Sequence, residues 1–185
     1  SFCKIIPDIA GDINYCCAVH ADGAGTKSSV AYMMYKETGN SKWFEGIAQD
    51  SLVMNTDDLI CVGITDNFYV SNTIGRNAHR VGGDAISSII EGYDKFISKM
   101  SSLGINIVMT GGETADVGDL VSTVIADSTV VARIKRKEVI HAKNIRAGDI
   151  IIGLSSSGKT VYEEVENSGI GSNGLTAARH TIFNK

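Results

Sequence analysis

Three glycine-containing segments carry the side chains that could do chemistry, and the first is Asp22-Gly23-Ala24-Gly25-Thr26-Lys27, directly after an apolar stretch. Its glycines let the backbone bend and expose N–H groups, while Lys27 adds a cation and Asp22 adds a hard oxygen ligand. A phosphate group accompanied by Mg²⁺ requires that combination. The spacing differs from that of a P-loop. A purely structural glycine loop is the alternative interpretation.

The second segment, Asn55-Thr56-Asp57-Asp58, lies near the end of a predicted helix. Adjacent carboxylates repel each other, so their burial usually requires a cation or a raised pKa. Asn55 and Asp58 lie three residues apart and therefore share a helix face. The alternative, an exposed acidic helix end, is disfavoured by the apolar residues that follow: Leu59, Ile60 and Val62.

The third segment is Gly111-Gly112-Glu113-Thr114-Ala115-Asp116, a predicted turn after the apolar strand 105–109. Loops at strand ends are where α/β proteins bind ligands, although a β-turn with solvent-facing acids would have the same composition. We expect the acids of the three segments to surround magnesium ions and Lys27 to balance the charge of a nucleotide. These acids are Asp22, Asp57, Asp58, Glu113 and Asp116.

Alternating strands and helices must position these segments. Apolar patterns predict strands at 14–21, 66–74, 105–109 and 120–134, and helices at 41–61 and from Gly82-Gly83 to a stop at Gly104. The alternation predicts a mixed α/β (α+β) fold. The predicted buried face of the first helix comprises Phe44, Ile47, Ala48, Ser51 and Leu52, and that of the second comprises Ile86, Ile89, Ile90, Tyr93, Ile97 and Met100.

A polar stretch at 141–149 divides the chain. We predict a first domain at 1–142, a linker at 143–148 and the opening of an incomplete second domain at 149–185. This second part begins with an apolar strand, DIIIGL, and contains a helix from about residue 174. The start at Ser1 and the polar end at Asn184-Lys185 predict a fragment of a longer protein.

Composition narrows the class of partners. The net charge of −4, from 17 basic and 21 acidic residues, argues against nucleic acid or an anionic membrane as the main partner. No signal peptide or 18-residue apolar span is visible. The four cysteines form no C-x-x-C pair, so neither a zinc site nor a disulfide framework is expected. Free thiols suit a reducing cytosol, and we expect a cytoplasmic protein.

Four segments, DGAGTK, GGETAD, AGDIIIGLSSSG and SNG, resemble in order and separation the signature segments of the phosphoribosylformylglycinamidine cyclo-ligase (aminoimidazole ribonucleotide synthetase) family. The resemblance covers residues 18–182. It implies an ATP- and Mg²⁺-dependent ligase that closes the imidazole ring in purine biosynthesis. It also implies a mixed sheet backed by helices, with the sheets of two copies paired into a barrel in a homodimer.

The resemblance also assigns roles to residues of this sequence. The implied catalytic residues are Lys27 and Asp58, and the implied metal ligands are Asp22, Asp57, Asp58 and Glu113. The implied ATP-binding residues are Asp22, Gly23, Gly25, Thr26, Lys27, Gly111, Gly112, Glu113 and Thr114. The implied ribonucleotide-binding residues are Ser156, Ser157, Ser172, Asn173 and Gly174. The last three open a helix whose N-terminus could bind a phosphate, or Ser172 or Asn173 could simply cap it.

This sequence departs from the family pattern at three places. An insertion, 159–171, separates SSSG from SNG, and Gly171 replaces the histidine that precedes SNG in the family. Asp57 stands where the family usually has asparagine. Two alternatives therefore stay open, namely another ATP-using enzyme of the same superfamily and a non-catalytic nucleotide-binding paralogue. The insertion and the replaced histidine favour the second alternative.

Overall fold

The computed structural model describes residues 3–182 and divides the chain into two compact units between His141 and Ala142. The first unit contains a five-stranded sheet in the order β1-β2-β5-β3-β4. Strands β3 and β4 are parallel, whereas all other neighbours are antiparallel. The predicted mixed sheet is therefore confirmed. Its strands are β1 (Ile5–Pro7), β2 (Tyr15–Gly23), β3 (Phe68–Arg76), β4 (Ile107–Asp116) and β5 (Val124–Lys135).

Three helices cover one face of this sheet, namely α1 (Lys27–Thr38), α2 (Glu45–Ile60) and α3 (Gly83–Ser102). A 3₁₀ turn, Ser41–Phe44, leads into α2. The helix predicted at 41–61 is confirmed, and all five of its predicted inward residues are buried. The sequence did not predict α1, which buries only Ser28 and Ala31.

The predicted buried stripe of α3 is correct at Ile86, Ile89, Tyr93 and Met100, whereas Ile97 is half-buried and Ile90 is not buried. Ile90 is 46% exposed, whereas Phe96 is buried. The stripe that packs on the sheet passes through Ile89, Tyr93 and Phe96, with spacings of four and three residues. Ile90 lies at the border of this stripe, and helix geometry turns its side chain toward water.

The side chains of β5 alternate between the two faces of the sheet. Those of Ala126, Ser128 and Val130 are buried under the helices, whereas those of Asp127 and Thr129 lie on the opposite face. The buried side chains of α2 and α3 share one hydrophobic core with Ala126 and Val130, so these helices pack on the first of these faces. The opposite face, here called the open face, carries exposed apolar side chains.

Two predicted elements differ from the structure. Residues 111–116 are not a turn but the second half of β4, because their backbone pairs with Ser71–Arg76 of β3. The predicted strand DIIIGL is absent, and Ile150, Ile151 and Ile152 are exposed. A strand requires a neighbouring strand for its backbone hydrogen bonds, and within 3–182 no residue pairs with this segment.

The second unit, described by itself, contains α4 (Leu175–Thr181) and one isolated bridge, Gly158–Asn167. The helix predicted from about residue 174 is confirmed. None of the helices at 3–182 is long and apolar enough to cross a membrane.

Candidate functional site

The candidate site lies at one end of the sheet. Strands β2, β3 and β4 run in the same direction, since both β2 and β3 are antiparallel to β5 and β4 is parallel to β3. Their carboxyl ends therefore share an edge, where α/β proteins commonly bind ligands. Asp22 lies at this end of β2, and three residues separate Gly23 from Lys27, the first residue of α1.

Two glycines of the first segment are required for different reasons. A side chain at Gly23 would collide with the carboxylate of Asp127 and approach the carbonyl oxygen of Ala126 to 2.9 Å. Gly25 has a φ of +56°, which is costly for residues with a Cβ. The strand end at Gly23 therefore carries Asp127 directly above its backbone, and the turn into α1 bends at Gly25.

A buried asparagine fastens α2 to the strand ends. The amide nitrogen of Asn55 donates hydrogen bonds to the carbonyl oxygens of Asp22 (3.1 Å), Ser51 (3.0 Å) and Ser128 (3.0 Å). Ser128 Oγ in turn lies 2.7 Å from Ser51 Oγ and 3.1 Å from the hydroxyl of Tyr93. This buried network links β2, β5, α2 and α3 and holds the end of α2 in place against the end of β2.

His20 connects the hydrogen-bond network of Asn55 to Asp58, one of the two adjacent acids Asp57 and Asp58. Its Nδ1 lies 3.0 Å from Asn55 Oδ1, and its Nε2 lies 3.0 Å from Asp58 Oδ2. The sequence indicated that Asn55 and Asp58 share a helix face, and their common contact with His20 confirms it. Asp58 is thereby brought to the same strand as Asp22.

Negative charge accumulates here without full compensation. Asp57 and Asp58 occupy the last turn of α2, which contains no basic residue, and the helix dipole is itself negative there. Burial, followed by repulsion from Asp58, raises the pKa of Asp57. Burial, followed by repulsion from Asp22, raises the pKa of Asp127. Both carboxyl groups would be stabilised in their charged form by a cation.

Lys27 is held by a carboxylate that the sequence analysis did not single out. Its Nζ lies 2.7 Å from Asp50 Oδ1, and both side chains are about one quarter exposed, at 24% and 23%. Burial raises the pKa of Asp50, and the neighbouring ammonium group opposes that change. Lys27 thus lies beside the turn with one anionic partner.

Glu113 is not brought to the other predicted ligands. In the sheet register, Gly23 is opposite Asp127, Asp127 is opposite Thr73 and Thr73 is opposite Glu113. Three strand spacings separate Glu113 from Gly23, or about 14 Å. Glu113 belongs to the row on the open face, whereas Asp22 is in the adjacent row on the helix side. Gly111, Gly112 and Thr114 are exposed on β4 beside it.

Among residues 3–182, no group of three or more His, Cys, Asp or Glu side chains is arranged to hold a metal ion. Mg²⁺, however, commonly binds through one or two carboxylates, with water and substrate phosphates completing its coordination. The adjacent carboxyl groups of Asp57 and Asp58 fit this requirement, because burial and then repulsion from Asp58 raise the pKa of Asp57 and a cation would relieve both effects.

The predicted ribonucleotide-binding residues lie in the second unit. Ser156 and Ser157 are exposed, as are Asn173 and Gly174, and Ser172 is half-buried. Gly174 is the N-cap residue of α4, and no side chain caps this helix, so the capping alternative for Ser172 and Asn173 is wrong.

The insertion forms a closed loop within the second unit. The backbone N–H of Asn167 donates to the carbonyl of Gly158 at 2.8 Å. A Cβ on Gly169 would lie 3.5 Å from the carbonyl oxygen of Ser156. The inserted residues therefore return the chain to the serine segment before SNG begins.

His20, Asp50 and Asp127 were missed by the sequence analysis, although signals for two of them exist. His20 precedes Asp22 by two residues on a strand and must share its face. Asp50 precedes Asp57 by seven residues, two helical turns, and must lie on nearly the same side of α2. For Asp127 no local signal exists, because its place above Gly23 depends on the pairing of β2 with β5.

Comparison with known proteins places the chain among its relatives. Residues 6–134 match the family described as AIR synthase related protein, N-terminal domain. The phosphoribosylformylglycinamidine cyclo-ligase of Methanocaldococcus jannaschii is 32% identical over 170 residues, which cover 92% of this chain and 41% of that protein. The enzyme of the same name from Pyrococcus furiosus is 35% identical over 177 residues, covering 93% and 44%. The chain thus spans less than half of either relative.

Two solved structures show weaker similarity. The protein tt0281 from Thermus thermophilus has a TM-score of 0.49 at 13% identity, covering 75% of this chain and 38% of that one. PurL of Thermotoga maritima complexed with ATP has a TM-score of 0.45 at 19% identity, covering 74% and 20%. Neither similarity bears on function. The match over residues 6–134 does establish a family: this chain belongs to the AIR synthase related proteins, through their N-terminal domain.

Proposed function

We propose that this chain is the ATP-binding part of a phosphoribosylformylglycinamidine cyclo-ligase. The observation that supports the proposal is the attachment of α2 to the end of β2. Asn55 donates to the carbonyl oxygen of Asp22, and Asp58 contacts His20 two residues before Asp22. The turn that follows leads to Lys27. Membership of the family and the two cyclo-ligases that are 32% and 35% identical to this chain support the same activity.

The proposed reaction is ATP-driven ring closure. The formyl-amide oxygen of formylglycinamidine ribonucleotide attacks the γ-phosphate of ATP, and ADP leaves. A nitrogen of the substrate then attacks the activated carbon, and phosphate leaves to give aminoimidazole ribonucleotide. An amide oxygen is a poor leaving group, which phosphorylation converts into a good one. The task of the protein is positioning and charge neutralisation, as in other phosphoryl transfers.

Each part of the first unit has a proposed role. Lys27 stabilises charge that develops on the phosphoryl oxygens, and the exposed backbone of Gly25 and Thr26 lies against the phosphates. Asp22, Asp57 and Asp58 are the proposed ligands of Mg²⁺, whereas Glu113 is left out of this set because three strand spacings separate it from the end of β2. When bound, Mg²⁺ would neutralise part of the negative charge of the phosphates and would relieve the repulsion between the carboxylates.

The ribonucleotide is proposed to bind to the second unit, through Ser156 and Ser157 and through the segment Ser172–Gly174. Exposure of Ser156, Ser157 and Asn173 supports this role. The loop formed by the insertion also supports this role. Although the insertion 159–171 contains 13 residues, it closes on itself through Asn167 and Gly158, and Gly169 lies beside Ser156.

A homodimer is proposed to form through the open face of the sheet. A row of apolar side chains crosses four strands there, since Val19 pairs with Val131, Val131 with Tyr69 and Tyr69 with Val108. Val19, Tyr69 and Val108 are 47%, 49% and 38% exposed. A contiguous exposed apolar patch of this kind is typical of an association surface.

A second function is favoured by one specific feature. Gly171 stands where the family has a histidine, and the insertion adjoins it, so a paralogue that binds nucleotide without turnover would carry the same first unit. Release of ADP with and without formylglycinamidine ribonucleotide separates the possibilities. Substrate-dependent ADP supports the cyclo-ligase, ADP with another substrate supports a different enzyme of the superfamily, and ATP binding alone supports the paralogue.

The role of Lys27 is tested in the same assay. We expect Lys27→Ala to lower turnover by about 10²–10³-fold, the usual effect of removing one electrostatic group from a transition state. Lys36→Ala is the matched control, because it removes the same charge from the exposed end of α1. Unchanged turnover of Lys27→Ala at saturating ATP would exclude the assigned role.

A further inference from the structure

His20 occupies a position that neither the sequence motifs nor the family assignment explains. Its side chain is only 14% exposed, and both ring nitrogens have a partner at 3.0 Å: Asn55 Oδ1 for Nδ1 and Asp58 Oδ2 for Nε2. A histidine held at both nitrogens has a fixed ring orientation. The identity of the donor at each contact follows from the surrounding atoms.

The orientation of the Asn55 amide is determined by its other three contacts. Its Nδ2 lies within 3.1 Å of three carbonyl oxygens, those of Asp22, Ser51 and Ser128. Carbonyl oxygens accept and never donate, so the atom facing them must be the NH₂ group. Its oxygen therefore faces His20, and Nδ1 of His20 must be the donor to it.

The contact with Asp58 is made through the other ring nitrogen. Nε2 of His20 lies 3.0 Å from Asp58 Oδ2, which is hydrogen-bond distance. Because Asn55 engages Nδ1, the imidazole ring cannot turn without losing one of its two contacts. His20 therefore fixes the position of the Asp58 carboxyl group.

We infer that His20 is a positioning residue that aims the Asp58 carboxylate at the Mg²⁺ of the bound nucleotide. The inference rests on the proposed function. A carboxylate held through one oxygen can ligate a cation through the other, and groups that orient metal ligands commonly change metal affinity by about 10- to 100-fold. The chain of contacts runs from the buried amide of Asn55 through the imidazole to Asp58.

Two substitutions separate positioning from a general structural role. The amide nitrogen of Gln matches the reach of Nε2, so His20→Gln retains a donor for Asp58. That of Asn matches only Nδ1, so His20→Asn retains the donor for Asn55 and loses the one for Asp58. Both variants are neutral amides of similar polarity, which makes each the control of the other.

The measurement is Mn²⁺ affinity in the presence of ATP, from the electron paramagnetic resonance signal of free Mn²⁺ on the full chain. We expect His20→Asn to weaken Mn²⁺ binding by about 10-fold or more and His20→Gln to remain within about threefold of the original protein. Equal effects of the two variants, or no effect of either, would overturn the inference. Failure of the unsubstituted protein to bind Mn²⁺ with ATP would instead overturn the proposed function and the inference with it.

A second comparison holds even if one variant folds poorly. Asp58→Asn should weaken Mn²⁺ binding, and combining it with His20→Asn should change the affinity no further, because His20 acts only through Asp58. Additive losses in the double variant would contradict positioning through Asp58. Circular dichroism melting without metal reports on folding separately.

Discussion

The ammonium group of Lys27 and the carboxylate of Asp50 form an ion pair of 2.7 Å at the start of α1. Lys27 is the cation proposed to meet the phosphates of ATP, so Asp50 competes with the nucleotide for it. The same contact keeps Lys27 beside the turn before ATP arrives. Asp50 therefore opposes ATP binding by competing for Lys27, and favours it by keeping Lys27 in position.

Removing the competing charge should strengthen nucleotide binding. We expect Asp50→Asn to lower the Kd of ATP by about twofold to fivefold, the range of a partly exposed ion pair. Isothermal titration calorimetry measures this change. Asp94→Asn on the exposed side of α3 makes the same change in net charge and should leave the Kd unchanged. Weaker ATP binding by Asp50→Asn would show that orientation of Lys27 matters more than competition.

Asp127 should reduce stability at neutral pH. Its pKa is raised in the fold, by burial and then by Asp22. As pH rises above the ordinary range for aspartate, about 3.9, the unfolded chain loses its proton first, so stability falls. Asp127→Asn should therefore raise the melting temperature near neutral pH and lose this advantage in acid.

Melting curves across this pH range, without Mg²⁺, test the prediction about Asp127. Asp119→Asn on an exposed turn is the control for net charge. An advantage of Asp127→Asn that is the same at every pH would contradict the assignment to this carboxyl group.

Gly23 should tolerate no side chain. A Cβ there meets the Asp127 carboxylate and lies 2.9 Å from a backbone carbonyl, so Gly23→Ala should cost about 1–3 kcal/mol of unfolding free energy. Gly46 is exposed in the first turn of α2, where an added methyl group would have no neighbouring atom within 4 Å. Gly46→Ala should be neutral or stabilising, by up to about 1 kcal/mol. The unfolding free energy of both variants, measured by urea denaturation, tests this prediction, and an equal effect of the two substitutions would contradict it.

The proposed dimer should depend on the open face. Tyr69→Arg places a charge in the centre of the apolar row and should convert a dimer into a monomer, as measured by sedimentation equilibrium. Leu120→Arg is the control, since Leu120 is 84% exposed and lies outside the strands. A monomer before substitution, or a dimer that survives Tyr69→Arg, would exclude this interface.

Strong periodic patterns in the sequence predicted four of the five strands of the sheet and two of the helices that pack on it, α2 and α3. The helix at 41–61 was predicted because its apolar residues follow a regular spacing and all become buried. Helix α1 was missed because the residues it buries, Ser28 and Ala31, are small and do not form an apolar pattern. Local pattern therefore predicts a helix only where its buried face is strongly apolar.

The site was predicted less completely, for a physical reason. Asp22 and Lys27 are adjacent to one turn, so their proximity follows from the sequence. Glu113 was expected in a turn beside them. Because β4 pairs with β3, the segment of Glu113 is instead part of an edge strand, three strands away from β2. Glycine-rich composition predicts a turn only if no neighbouring strand offers hydrogen bonds to that backbone.

The proposed function requires above all that Asp22 and Asp58 bind Mg²⁺ together with ATP. Calorimetric titration of ATP with Mg²⁺ and with a chelator tests this directly, for the unsubstituted chain, Asp22→Asn, Asp58→Asn and the control Asp94→Asn. We predict that Mg²⁺ tightens ATP binding by at least about tenfold in the unsubstituted chain and the control, and that each site variant loses most of this gain. Absence of ATP binding, or a Mg²⁺ effect that survives in both site variants, would contradict the account.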